Sequence, residues 1–331
     1  MPDTGSRRIA ILATGGTIAG RPQADGQGYR AGALNIGDLL AAVPALEALA
    51  DLRAEQVANV GSQAITVSIW LRLAARIREL LADDQTDGIV VTHGTDTLEE
   101  TAYFLSLVLP WTRPVILTGA MRPAGAPGAD GPANLLDAVA LASDPCAGPR
   151  GPLVTLNGAI HSARDVQKIS ASAPCAFASP NRGPLGLVVH GQAHWHHPPA
   201  ARRAFDLAPA TLAAGLPRVD VVAAYADAPA DVVPWLVERG SRGIVLAGVG
   251  AGNASDPLLA ALAQAVRDGV PVVRASRCGT GQVARNVEID DDAHGFIAAG
   301  DLPPHKARVL LALSLLAGIT GPDLQHCFDQ Y

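Results

Sequence analysis

Hydrophobic positions along this chain follow two rhythms. Short runs of β-branched and aliphatic residues alternate with longer stretches in which apolar side chains recur every three to four positions, the pattern of a mostly parallel sheet flanked by helices. In the first half, RRIAILAT, QVANV, DGIVVTH, RPVILTG and GPLVTLN predict strands, and helical spacing runs over Trp70 to Ala82, Leu98 to Leu109 and Asn134 to Ser143. In the second half the strands are VDVVAAY, RGIVLAG and PVVRAS, with helices over Asp231 to Arg239, Pro257 to Asp268 and Pro304 to Ala317. Between the halves, HWHHPPAARRAFDLAPATLAAGLP is rich in Pro and Ala and has no clear period. The expected class is therefore α/β with two domains: a larger N-terminal one over 1–196 with a mostly parallel sheet, a linker over 197–217, and a smaller parallel-sheet domain over 218–331.

Composition narrows the function classes. The 331 residues suit two cores rather than one. A net charge of −6 with no run of Lys or Arg argues against nucleic acid or an anionic membrane, and leaves a small molecule as the expected partner. No stretch has the apolar length of a membrane span, and MPDTGSRR leads straight into IAILATGG without room for a signal peptide, so a cytoplasmic location is expected. Cys146, Cys175, Cys278 and Cys327 are scattered without CxxC spacing and read as free thiols, with a single bridge the alternative. His190, His194, His196 and His197 lack the HExxH spacing of a zinc site and read as surface residues, while GVGAGN falls short of the dinucleotide fingerprint. No metal and no organic cofactor are expected.

Ligands of open α/β sheets sit beyond the carboxyl ends of the strands, which directs attention to the residues after each apolar run. ATGGTIAG places Thr17 after a glycine turn. IVVTHGTDTLEE crowds Thr92, His93, Thr95, Asp96 and Thr97 before a helix starting near Leu98. Thr97 can cap that helix, and Glu99 and Glu100 suit its positive end, but capping does not account for Thr95 beside Asp96. NVGSQ offers Gly61, Ser62 and Gln63, and in SARDVQKIS a lysine, Lys168, lies among small and apolar neighbours where desolvation would favour a basic role.

ATGGTIAG together with THGTDTLEETAYFL resembles the two signature segments of bacterial type II L-asparaginases, and the likeness continues through NVGSQ, GAMRPAGAPGADGPANL, RDVQK, AGVGAGN, RNVEIDDDAHGF and HKARVLLALSLL. The resemblance implies Thr17 as nucleophile, Tyr29 on a closing loop as its assistant, and Thr95, Lys168 and Asp96 as a hydrogen-bonded proton relay. It implies that Gly61, Ser62, Gln63 and Asp96 hold the substrate's α-carboxylate and α-ammonium groups. Asn253 and Glu288 match positions that, in the family, reach the site from a neighbouring subunit, which implies a homotetramer built of tight dimers. The implied reaction is hydrolysis of L-asparagine through a threonine-linked acyl-enzyme, with weaker action on L-glutamine.

Elementary chemistry is compatible with that assignment. A threonine hydroxyl needs a base and a closed site, which a glycine-hinged loop from Ala19 to Tyr29 could supply, and backbone N–H groups near Thr17 and Thr95 are suited to an oxyanion. Two other readings share the same residues: an asparaginase-like subunit of a tRNA-dependent amidotransferase, and a non-enzymatic amino-acid binding protein.

Overall fold

A computed structural model describes residues 6–22, 29–30, 32, 35–200 and 204–331. The chain divides between Ala204 and Phe205 into two compact units.

Unit 1 opens with strand β1 (Arg8–Gly15), followed by the short ribbon of β2 (Arg21–Pro22) and β3 (Tyr29–Arg30), helix α1 (Ile36–Ala41) and β4 (Asp51–Val60). Three β–α steps come next: α2 (Val67–Ala82), β5 (Gly88–Thr92), α3 (Leu98–Val108), β6 (Val115–Thr118), α4 (Gly131–Ala142) and β7 (Leu153–Leu156). Shorter elements complete it: β8 (Ala159–Ser162), β9 (Gln167–Lys168), β10 (Phe177–Ala178), β11 (Gly186–Val189) and β12 (Gln192–Trp195). The main sheet has the order β12-β11-β8-β7-β6-β5-β1-β4. The five strands from β4 to β7 run parallel, and β8, β11 and β12 extend the sheet by antiparallel pairing.

Burial explains the sequence pattern. The central strands β5 and β6 are buried at every residue, so they read as continuous apolar runs. Edge strand β4 is largely exposed and starts earlier than QVANV suggested. Helix α2 buries Ile69, Trp70, Leu73, Ala74, Ile77, Leu80 and Leu81 on one stripe, and Thr66 caps it by accepting from the Ile69 N–H.

The antiparallel extension was not expected. Asn157 and Gly158, with φ of 51° and 74°, form the two-residue loop between β7 and β8, and His190 and Gly191 do the same between β11 and β12. Both loops have the positive-φ geometry that matches strand twist in hairpins. His194, placed at the start of the Pro-rich stretch by sequence, is therefore a strand residue.

Unit 2 is a smaller α/β layer. It comprises α5 (Pro209–Ala213), β13 (Val219–Ala223), α6 (Val232–Glu238), β14 (Gly243–Gly248), α7 (Asp256–Arg267), β15 (Val272–Ser276), α8 (Asp291–His294), β16 (Ile297–Ala298), α9 (Pro304–Leu316) and α10 (Pro322–Gln330). Its four strands pair in chain order and all run parallel. Leu236, Leu258 and Leu262 of α6 and α7 pack on Ile244, Leu246 and Val272. Within the stretch 197–217, α5 buries Leu212, and Phe205 stacks on Tyr331 at 4.8 Å between ring centroids, so residues 205–217 belong to unit 2.

Candidate active site

Three loops meet at the carboxyl ends of β1, β4 and β5. Gly16 has φ of 84°, and a Cβ placed on it would lie 2.3 Å from Gly94 Cα. A Cβ on Gly94 would in turn lie 2.8 Å from Ser62 Oγ. Only glycine permits backbones to approach this closely. The contact sets Thr17, the residue after Gly16, and Thr95, the residue after Gly94, on apposed loops. Thr17 is buried in a single helical turn, Thr17–Ala19, and Thr95 is buried as well. Near the base of these loops the Thr14 hydroxyl donates to the Thr92 carbonyl at 3.0 Å, tying β1 to β5.

Ser62 locks the third loop to the second. Its Oγ accepts from the Asp96 N–H at 3.1 Å, and its carbonyl accepts from the Thr97 hydroxyl at 2.8 Å. Thr97 does occupy the N-cap position of α3, but its side chain makes no capping bond; the expected cap is instead a loop-to-loop tie. Gln63 is exposed, and its side-chain amide folds back over Gly61.

Lys168 arrives from the β9–β10 hairpin. Its Nζ donates to Thr95 Oγ1 at 2.8 Å and to Asp96 Oδ1 at 2.6 Å. The lysine side chain is only 14% exposed while the Asp96 carboxylate is 60% exposed, so the ammonium is held inside and its counter-charge faces outward. The hairpin is anchored by buried Glu99, whose Oε1 accepts from the Lys168 N–H at 3.3 Å. Sequence reading assigned Glu99 to the helix dipole alone.

A buried line of polar groups lies behind Thr95. The Trp70 indole donates to Thr101 Oγ1 at 2.7 Å, Thr101 lies 2.9 Å from His93 Nε2, and His93 Nδ1 lies 2.7 Å from the Gly94 carbonyl. A carbonyl only accepts, so Nδ1 carries the proton, and the Thr101 hydroxyl then donates to Nε2. Burial pulls the His93 imidazole from its ordinary 6.5 down to about 4, outweighing the Gly94 carbonyl, which acts in the other direction. His93 is a neutral strut under the loop.

Unit 2 holds a pair of its own. The Asn253 side-chain N–H donates to Glu288 Oε2, and Asn253 Oδ1, shielded from solvent, has no hydrogen-bond partner among the described residues. The Tyr29 backbone belongs to the β2–β3 ribbon; its side chain lies outside the described residues. Among the described residues, no three His, Cys, Asp or Glu side chains group as metal ligands, and the four cysteines are free thiols.

Two family models cover nearly the whole chain: "Asparaginase, N-terminal" matches residues 8–201, and "Glutaminase/Asparaginase C-terminal domain" matches residues 218–328. The chain belongs to the asparaginase family. It is 43% identical to the "Probable L-asparaginase periplasmic" of Haemophilus influenzae, over 98% of this chain and 93% of that protein. To the "Glutaminase-asparaginase" of Pseudomonas fluorescens it is 41% identical, over 98% and 90% respectively. Among solved structures, the "Probable Cytoplasmic L-asparaginase" of Campylobacter jejuni matches this asparaginase-family chain with a TM-score of 0.90 at 42% identity, covering 98% of this chain and 100% of that one. No described helix is long and apolar enough to cross a membrane.

Proposed function

We propose that this asparaginase-family enzyme hydrolyses L-asparagine to L-aspartate and ammonia, and L-glutamine more slowly, by double displacement at Thr17. The reading is carried by one observation: the Lys168 side chain, only 14% exposed, bonds through its ammonium to Thr95 Oγ1 and Asp96 Oδ1 on the loop that abuts Gly16. Thr17 Oγ forms a bond to the amide carbon, the carbonyl π electrons move to oxygen, and backbone N–H groups of the Thr17 and Thr95 loops stabilise the oxyanion. Collapse breaks the carbon–nitrogen bond, and the proton released from Thr17 ends on the departing ammonia. Water then attacks the threonyl ester, losing one proton back to Thr17 Oγ as the aspartate leaves. The Thr95–Lys168–Asp96 chain moves the proton in the water step, and Tyr29 assists the first transfer.

Ser62, Gln63, Gly61 and Asp96 provide donors and a carboxylate for the zwitterionic end of the substrate. Asn253 and Glu288 complete that end in the site of a neighbouring subunit of a homotetramer; the unpartnered Asn253 Oδ1 is consistent with a partner outside its own chain. The proposal includes a cytoplasmic location, since exposed free Cys146, Cys175 and Cys278 suit a reducing compartment.

The test is ammonia release from L-asparagine and L-glutamine by the purified full chain and by Thr17→Ala. The variant is expected to lose turnover by about 10³-fold or more while retaining its fold. Hydrolysis at the parent rate would overturn the nucleophile assignment. Inactivity of the parent chain on both amides would leave the binding-protein reading, and activity only with a second polypeptide the amidotransferase one.

A further inference from the structure

Arg274, in the middle of β15, is 1% exposed, and Asp291, the first residue of α8, is fully buried. They form a forked pair, Nε to Oδ1 at 2.5 Å and Nη2 to Oδ2 at 2.7 Å. The remaining donors of the guanidinium point at two loops. Nη1 donates to the carbonyls of Ala251 and Gly252, both at 3.2 Å, and Nη2 to the carbonyl of Ala284 at 3.4 Å. All five N–H donors of the arginine are thus in use. Asp291 Oδ2 also accepts from the Asn286 N–H at 2.9 Å.

The residues held are informative. Ala251 and Gly252 directly precede Asn253, and Ala284 and Asn286 lie four and two residues before Glu288. One planar fork therefore grips the backbone of both loops that end in the Asn253–Glu288 contact. An apolar pair could fill the same volume, and burying two charges opposes folding unless every lone pair and proton is satisfied. What the guanidinium supplies is direction, because its rigid donor plane addresses a carboxylate and several carbonyls at fixed angles.

We propose that Arg274 and Asp291 are positioning residues for the reaction, setting the mutual placement of Asn253 and Glu288 without touching substrate. The inference rests on the proposed assignment of those two residues to the substrate's zwitterionic end. Its signature is a loss of substrate binding expressed only through Asn253 and Glu288.

The experiment is steady-state kinetics on L-asparagine with the full-length enzyme. Arg274→Lys keeps a charge for Asp291 but loses the fork, and the paired variant Arg274→Met with Asp291→Leu removes both charges, so the comparison survives if the first variant folds poorly. Each is expected to raise KM by about 10- to 100-fold with a much smaller change in kcat. Placed in an Asn253→Ala, Glu288→Gln background, Arg274→Lys should add less than about twofold, because its effect is transmitted through groups already removed. Full additivity in that background would overturn the inference, as would unchanged KM in both Arg274 variants while Asn253→Ala and Glu288→Gln each raise it; the site assignment then stands. If Asn253→Ala and Glu288→Gln leave KM untouched, the parent assignment fails and this inference fails with it.

Discussion

The most quantitative consequence of the site's construction concerns His93. The imidazole is fully buried between the Thr101 hydroxyl and the Gly94 carbonyl, and both of its nitrogens are used in the neutral form. Protonation would put a second N–H against a hydroxyl that already accepts from Trp70 and would leave a charge in an apolar interior. That is why burial moves the group from 6.5 to about 4. A histidine whose folded pKa lies below its unfolded value leaves the unfolded chain holding more protons, so stability rises with pH across that window. The contribution is whole above the unfolded pKa and is lost as pH falls from about 6.5 through about 4.

A separation of 2.5 pH units between the two values, at about 1.36 kcal/mol each, sets a ceiling of roughly 3 kcal/mol. About 2 kcal/mol of this should be gone by pH 5. The perturbation is His93→Asn: its side-chain amide still donates towards the Gly94 carbonyl but cannot titrate, and it leaves the Thr101 hydroxyl short of an acceptor. The variant should be less stable than the parent at pH 7 by about 1–3 kcal/mol. The assay is urea unfolding at fixed protein concentration, in steps from pH 7.5 to 4.5. The two stability curves should converge towards acid, because other titrating groups act equally in both proteins. Parallel curves would refute the argument that His93 is held neutral by burial.

Replacing Lys168 by Met removes the ammonium from Thr95 Oγ1 while keeping the stem; kcat should fall by about 10²- to 10⁴-fold in ammonia release with KM changed far less, and an unchanged kcat would remove Lys168 from the mechanism. Gly16→Ala places a methyl 2.3 Å from Gly94 Cα at a φ of 84°, so thermal unfolding should show a loss of about 1–3 kcal/mol together with most of the activity. Unaltered turnover in that variant would mean that the loop contact has no part in catalysis. Thr97→Val removes the tie to the Ser62 carbonyl and should cost about 0.5–1.5 kcal/mol in urea unfolding, together with a raised KM for asparagine; a stability loss with KM unmoved would confine that bond to structure.

Fold class was legible because the central parallel strands are buried on both faces. IVVT and VILT are apolar up to a closing Thr, and helices α3 and α4 follow them in the chain. The antiparallel extension escaped for a physical reason. β8, β11 and β12 are four residues each, and exposed Leu187 and Val189 on β11 are apolar, which hides the alternation that marks a half-buried strand. The Asn-Gly pair at 157–158 was the usable cue, since it is a preferred hairpin turn and sits directly after a strand candidate. Arg274 went unremarked inside PVVRAS because its partner lies 17 positions further on, with nothing local to announce the pairing.

The site was legible as a set of residue types and not as a set of contacts. Thr95 beside Asp96 exceeds what a helix cap needs, and Lys168 stands out on a different ground, the desolvation expected among small and apolar neighbours. What brings them together is long-range: Lys168 is bonded across 73 and 72 positions to Thr95 and Asp96, and across 69 to Glu99. Glu99 illustrates how a local rule can be correct and incomplete. An acid in the first turn of α3 does favour the helix, yet here the carboxylate is buried and accepts from the backbone of the residue whose ammonium reaches Thr95. The helix end therefore fixes both arms of the Lys168 contact, Thr95 in the loop preceding it and the lysine backbone through its first turn. A rigid α3 start and a snug Gly16–Gly94 contact are thus two parts of one requirement of the proposed mechanism, that the two hydroxyl-bearing loops hold a fixed spacing.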